Sequence, residues 1–156
     1  MPLVRILVDG YSLLHSWPDL APGSPRYSEA ARDELVHRLR QYRDAIGTPI
    51  TIFFDGAGPK RGNLHFESTP ELEILFSSSR QSADDMIERA AVRLRAFGEV
   101  LVVTNDFAER DTVFYNGGLS SSCENFIDDV EKALTMQQHD LAHHNRRERA
   151  GFKTPR

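Results

Sequence analysis

Cysteine is almost missing from this sequence. Cys123 stands alone among 156 residues, so the chain can form no internal disulfide and no cysteine-based zinc site. A lone thiol suits a reducing compartment, and the expected localisation is cytoplasmic. Long apolar runs are missing too. Near the N-terminus only Leu3 to Val8 is apolar, with Arg5 inside it and Asp9 after it. That is too short and too charged for a signal peptide or a membrane span, so no membrane partner is expected. There is no excess of positive charge either. The formal net charge is −4, which counts against strong nonspecific nucleic-acid binding. Finally, the chain contains no G-x-G-x-x-G after its first strand, no G-x-x-x-x-G-K-[ST] and no G-x-S-x-G. Dinucleotide, P-loop and serine-hydrolase readings therefore have no support.

What is present fits one globular domain: 40% apolar and 27% charged residues, enough for one core. The charge is uneven. From Gln137 onward five Lys/Arg stand against two Asp/Glu, a local +3 that leaves the remaining body at −7. Residues 1–136 read as the domain. Residues 137–156 read as a basic His/Arg-rich tail, a frayed helix end without apolar periodicity.

The body alternates strand and helix. Val4 to Val8, Ile50 to Phe54, Glu73 to Phe76 and Val100 to Val103 are short apolar runs, as in strands buried on both faces; a brief fifth strand falls near Leu119. Ala31, Leu35, Leu39, Tyr42 and Ile46 step by 4, 4, 3 and 4 along one helical face. Ser28 caps that helix, and Gly47 with Pro49 stops it. A second helix opens at Ser82 and closes at Gly98. A short one covers Phe107 to Tyr115. A last one follows a capping-box pair, Ser121 and Glu124. Alternation of this kind implies an α/β fold with a central, mostly parallel sheet of four to five strands. Such sheets place ligands at the carboxyl ends of their strands.

Four segments bring a carboxylate to that edge: Asp9 after strand one, Asp55 after strand two, Asp84-Asp85 opening the Ser82 helix, and Asp106 after strand four. Two like charges 4 Å apart repel by roughly 4 kcal/mol at an effective dielectric of 20. A hard divalent cation, Mg²⁺ or Mn²⁺, offsets this through oxygen ligands. Each acid also has a plainer role. Asp85 sits at capping-box spacing from Ser82, Asp55 opens a glycine-rich loop, and acids are common in first helical turns. A phosphatase of the haloacid-dehalogenase type would want a second aspartate where Tyr11 stands. His139 and His143 have i, i+4 spacing but no third ligand in register, so they read as solvated.

Val8-Asp9-Gly10-Tyr11-Ser12-Leu13-Leu14 resembles the V-D-G-Y-N-L-[IL] opening of NYN-domain proteins, in particular the YacP-like group. Phe53-Phe54-Asp55-Gly56 is similar to that family's second-strand motif. Ser82 to Arg89 resembles T-A-D-[DE]-x-I-E-R, and Val103 to Glu109 resembles [VA]-T-S-D-x-x-E. The four blocks run in order over roughly residues 4 to 135. The resemblance implies a PIN-like three-layer α/β/α fold and a divalent-metal-dependent endoribonuclease, with RNA as partner and cleavage of ribosome-associated mRNA as the expected setting. It implies Asp9, Asp84 and Asp106 as catalytic acids, with Asp85 and Asp55 as supporting metal ligands. The family's usual Asn is Ser12 here, a shorter donor and acceptor that is still able to orient water or phosphate. Lys60, Arg61 and Arg80 are the candidate contacts to the RNA backbone. The tail cations Arg146, Arg147, Arg149, Lys153 and Arg156 offer an electrostatic tether, and Trp17 and Tyr27 are candidate base-stacking side chains. Two other classes stay open at this point. One is a degenerate NYN module that binds RNA or protein without cutting. The other is a metal-dependent phosphatase of small esters.

Overall fold

The structure, a computed structural model, describes the backbone of residues 3–56 and 68–153 and the side chains of 3–56 and 68–146. Its elements are β1 (Leu3–Asp9), α1 (Gly10–His15), α2 (Glu29–Ile46), β2 (Ile50–Phe54), β3 (Leu72–Phe76), α3 (Ala83–Leu94) with a 3₁₀ turn over Arg95–Phe97, β4 (Glu99–Val103), α4 (Phe107–Tyr115), β5 (Leu119–Ser121) and α5 (Cys123–Lys153). The strands form one sheet in the order β3-β2-β1-β4-β5, and every pairing is parallel.

Alternation along the buried strands divides the core in two. Ile6, Val8, Ile50, Ile52, Phe54 and Val103 face the layer carrying α1, α2 and α5. Leu7, Phe53, Val100 and Val102 face α3 and, through Val113, α4. The period of two sends successive side chains to opposite faces, so both faces must be covered and the strands read as unbroken apolar runs. No helix among the described residues is long and apolar enough to cross a membrane.

The chain leaves β1 in one direction to form β2 and β3, then crosses back to β4 on the other side of β1. The carboxyl ends of β1 and β4 therefore diverge at the point where strand order reverses, the crevice in which open α/β sheets take their ligands. Two expectations need correction. Ser122, not Ser121, caps α5: its hydroxyl accepts from Asn125 N at 3.2 Å, while Ser121 Oγ donates to Ser122 O. And α5 does not fray near Gln137 but runs unbroken to Lys153. Its first turns are held by buried Cys123, Phe126 and Val130, and Ala133 and Leu134 pack against the same core one turn further on.

Candidate metal centre

Asp9 closes β1 and at once caps α1. Its Oδ1 accepts from Ser12 N at 3.3 Å and its Oδ2 from Ser12 Oγ at 2.9 Å. The turn from strand into helix is tight, and Gly10 makes it feasible: a Cβ there would run into the Phe54 ring and stand 3.0 Å from the Phe53 carbonyl oxygen. Burial pushes the Asp9 carboxyl above its usual range. Ser12's two hydrogen bonds pull it back, and the charges of Asp84 and Asp55 push it up further.

Asp84 is the second residue of α3, placed by a brace from β2. Asp55 Oδ1 accepts from Ala83 N at 2.8 Å and from Ser77 Oγ at 3.1 Å. That fixes the first residue of α3 against the end of β2. Asp85 turns the other way into a capping box with Ser82, each backbone N–H reaching the other's side chain at 3.1 and 3.4 Å. Asp84 is left facing the crevice.

The third carboxylate is Glu109. It lies in the first turn of α4 and is only 3% exposed. One carboxylate oxygen each from Asp9, Asp84 and Glu109 all fall within 4.8 Å of one another. Glu109 Oε2 accepts from the buried Thr104 hydroxyl at 3.2 Å, while Oε1 has no hydrogen-bond partner. With both ionised, Glu109 and Asp84 have only acceptors to offer each other. Burial first, then Asp84 and Asp9, push the Glu109 carboxyl up to about 9. The crevice thus holds more negative charge than its own hydrogen bonds satisfy, and the missing partner is a proton or a cation.

Asp106, expected as a metal ligand, is not in this trio. It caps α4, its Oδ1 accepting from Ala108 N at 2.9 Å and Glu109 N at 3.3 Å. Its position three residues before Glu109 explains the exchange: the cap fixes the helix turn that aims Glu109 inward. Likewise Asp85 and Asp55 serve as cap and brace. Glu109 was the residue missed on sequence, although it ends the Val103–Glu109 block. A glutamate three residues past a capping aspartate reads first as a capping-box partner.

Neighbours complete the crevice wall. Asn105 Nδ2 donates to Ser16 Oγ at 2.9 Å and Glu124 Oε1 at 3.1 Å, and its Oδ1 accepts from Cys123 N at 2.8 Å. That one side chain ties β4, α1 and α5 together. Cys123 is fully buried, and burial together with the Asp9 and Glu124 charges pushes its thiol up to about 12. Tyr11 packs edge-on against Tyr27 and Phe54, with ring centroids 5.4 and 5.2 Å away. Trp17 is 4% exposed beneath Arg38 and is not open for stacking. Arg80 is exposed in the turn before α3. Lys60 and Arg61 lie outside the described residues, as do the side chains of Arg147, Arg149, Lys153 and Arg156. His139 and His143 join no metal-ligand group among the described residues.

The model of the YacP-like NYN domain matches residues 6–155. An uncharacterised protein of Bacillus subtilis, YacP, is 29% identical over 127 residues, covering 81% of this chain and 74% of that protein. The crystal structure of Rae1 (YacP) from the same organism superposes with a TM-score of 0.77 at 25% identity, covering 97% of this chain and 86% of that one. A tryptophan-to-leucine mutant of Rae1 gives 0.73 at 26%, covering 92% and 84%.

Proposed function

Because the chain belongs to the YacP-like NYN domain family, which implies nuclease-type chemistry on RNA, we propose that it is a divalent-metal-dependent endoribonuclease hydrolysing RNA phosphodiester bonds. The observation that carries this reading is the trio of Asp9, Asp84 and Glu109 with its unpartnered buried oxygen. All donors there are carboxylate oxygens, which suit Mg²⁺ or Mn²⁺. Those three residues would hold the ion. When bound, it lowers the pKa of a water ligand and neutralises charge on the phosphate.

The surrounding residues position the trio. Ser12 keeps Asp9 oriented and favours its ionised form. Thr104 steers Glu109, and its Oγ1 also accepts from Asp106 N at 3.2 Å. Asp55 and Asp106 fix the two helix starts from which Asp84 and Glu109 project. Ser12 thus holds the metal acid rigid where the family's usual residue is Asn, which favours an active enzyme over a degenerate binding module. The proposed partner is mRNA, free or on a ribosome, in the cytoplasm.

The test is incubation of purified protein with structured and unstructured RNA, in Mn²⁺, in Mg²⁺ and in chelator. Internal cuts that need the metal are expected, and Asp9→Asn should lose them by roughly a thousandfold or more while keeping its fold. Binding without cuts would support the module instead. Phosphate release from small esters alone would support a phosphatase.

A further inference from the structure

The carboxylate trio repels any polyanion, and Glu124, bonded to Asn105, adds charge on the crevice wall. One cation stands beside them. Arg110 directly follows Glu109 in α4 and is half-buried. It lies about 100° round the helix from Glu109 and shares a face with Asp106, four residues earlier. Its charge reaches the start of α5. On the Cys123 thiol burial dominates; Asp9 and Glu124 add to the upward push, and Arg110 pulls down. On Glu124, Arg110 adds to the hydrogen bonds from that residue's own backbone, Asn105 and Ser16, which hold the carboxyl below its usual range. Asp9 and Arg110 thus both lie within electrostatic reach of one buried thiol.

Among the described residues the Arg110 guanidinium joins no ion pair within 4.0 Å. It rests instead over the ring of Phe107, three residues earlier, with Cζ 4.5 Å from the centroid. That contact holds the guanidinium flat and leaves its N–H groups free for an anion. Phe107 opens α4 and is 74% exposed, so the rest of its ring is open to solvent. Of the three arginine–aromatic contacts among the described residues, this alone uses an exposed ring. Phe114 and Tyr115, about two turns further along α4, are exposed as well, but they pack edge-on against each other with centroids 6.2 Å apart.

We infer that Phe107 and Arg110 grip the RNA substrate at the rim of the carboxylate centre: Phe107 stacks an unpaired base, and Arg110 holds a backbone phosphate of the same strand. The inference rests on the RNA-cleaving reading above and deepens it, because it assigns the substrate an unpaired stretch beside the cut bond. Two different groups, one helical turn apart, meet the two different parts of a nucleotide. An exposed ring suits a flat base, and a planar guanidinium suits phosphate oxygens. An acidic peptide would satisfy Arg110 and leave Phe107 unused. Paired RNA would keep its bases from the ring.

The test uses full-length Asp84→Asn protein in Mn²⁺, so that bound RNA is not cut. Fluorescence anisotropy follows three labelled probes: a single-stranded RNA of about eight nucleotides, an abasic ribose-phosphate strand of the same length, and a polyglutamate peptide. Phe107→Ala should weaken RNA binding about tenfold and leave the abasic strand within about twofold, since only stacking is lost. Phe107→Trp should restore the RNA. Arg110→Ala should weaken both strands and lower the salt slope by about 0.7, as loss of one phosphate contact requires. Arg110→Lys should keep that slope. Phe114→Ala, an equally exposed ring away from the cation, should change nothing. No RNA binding by the parent, RNA binding unmoved by Phe107→Ala and Arg110→Ala, Phe107→Ala equally costly on both strands, Phe114→Ala as costly as Phe107→Ala, or polyglutamate held through Arg110 more tightly than RNA would each overturn the inference. Binding of this pattern by a protein whose unmutated form never cuts would sink the nuclease reading alone. Metal-dependent cutting by a protein whose Phe107→Ala and Arg110→Ala forms bind RNA like the parent would sink the grip alone.

Discussion

Glu109 and Asp84 bring carboxylate oxygens within 4.8 Å of each other in a crevice where Glu109 Oε1 has no donor. Burial and that neighbour lift the Glu109 carboxyl from 4.5 to about 9. The folded protein then keeps a proton that the unfolded chain releases. Between about pH 4.5 and about pH 9 the native state binds more protons than the unfolded one, so stability falls as pH rises. Without divalent metal, the melting temperature should drop by roughly 5–10 °C from about pH 6 to about pH 8. Glu109→Gln should flatten that slope and melt higher at the alkaline end. Thermal unfolding in chelator across pH checks it; a wild-type curve no steeper than the variant's would remove the strained carboxylate from the account.

The same proton must leave when a cation enters. Metal affinity should therefore climb with pH, by up to about tenfold per unit below the Glu109 midpoint. Mn²⁺ should raise the melting temperature more at about pH 8 than at about pH 6, following the mass-action increment. Glu109→Gln removes one anionic ligand and the proton it would release. Calorimetric titration of the variant should show weaker binding and little pH dependence.

Ser12 holds both oxygens of Asp9, and its hydrogen bonds pull that carboxyl down against burial. Ser12→Ala leaves the backbone contact and removes the hydroxyl. The Asp9 carboxyl should rise further, so the acidic limb of the cleavage profile moves to higher pH. A lost hydrogen bond to a charged group costs about 1.5–3 kcal/mol when ionised, which sets the scale for the fall in rate. Ser12→Asn supplies a longer amide and should keep the limb near its wild-type position. An unmoved limb in Ser12→Ala would show that the hydroxyl does not govern Asp9.

The central strands were legible because they are buried on both faces, as all five residues of β2 are. Apolar runs such as Ile50–Phe54 have no other stable use between turn residues, and the observed bounds of β2 are those expected. The helix over Glu29–Ile46 was equally plain from its spacing and from the Ser28 cap, whose Oγ accepts from Ala31 N at 3.2 Å. The short helix Gly10–His15 was hidden, since six residues carry too little periodicity and its cap is Asp9, which the sequence offers first as a strand-end acid. Asp9 and Asp84, expected from their places after a strand and in a first helical turn, do lie together in the structure. The exchange of Asp106 for Glu109 in that cluster was not legible. Both are acids at the start of one helix, and which of them caps and which points inward depends on side-chain rotation that spacing does not encode.

That exchange yields the sharpest mutational contrast. Asp106 Oδ1 satisfies two backbone N–H groups of α4, a role an asparagine fills about as well. Asp106→Asn should therefore keep metal binding and leave the cleavage rate within several fold of wild type. Asp106→Ala should cost roughly 0.5–2 kcal/mol of stability through loss of the cap and loosen Glu109, weakening metal affinity indirectly. Asp84→Asn, by contrast, removes charge from the trio itself and should abolish cleavage without unfolding the protein. Rates for the three variants, measured beside melting temperatures and Mn²⁺ titrations, separate cap from ligand. If Asp106→Asn were as inactive as Asp84→Asn while still melting like wild type, Asp106 would have to be restored to the metal-binding set, and the trio would be an incomplete description of the centre.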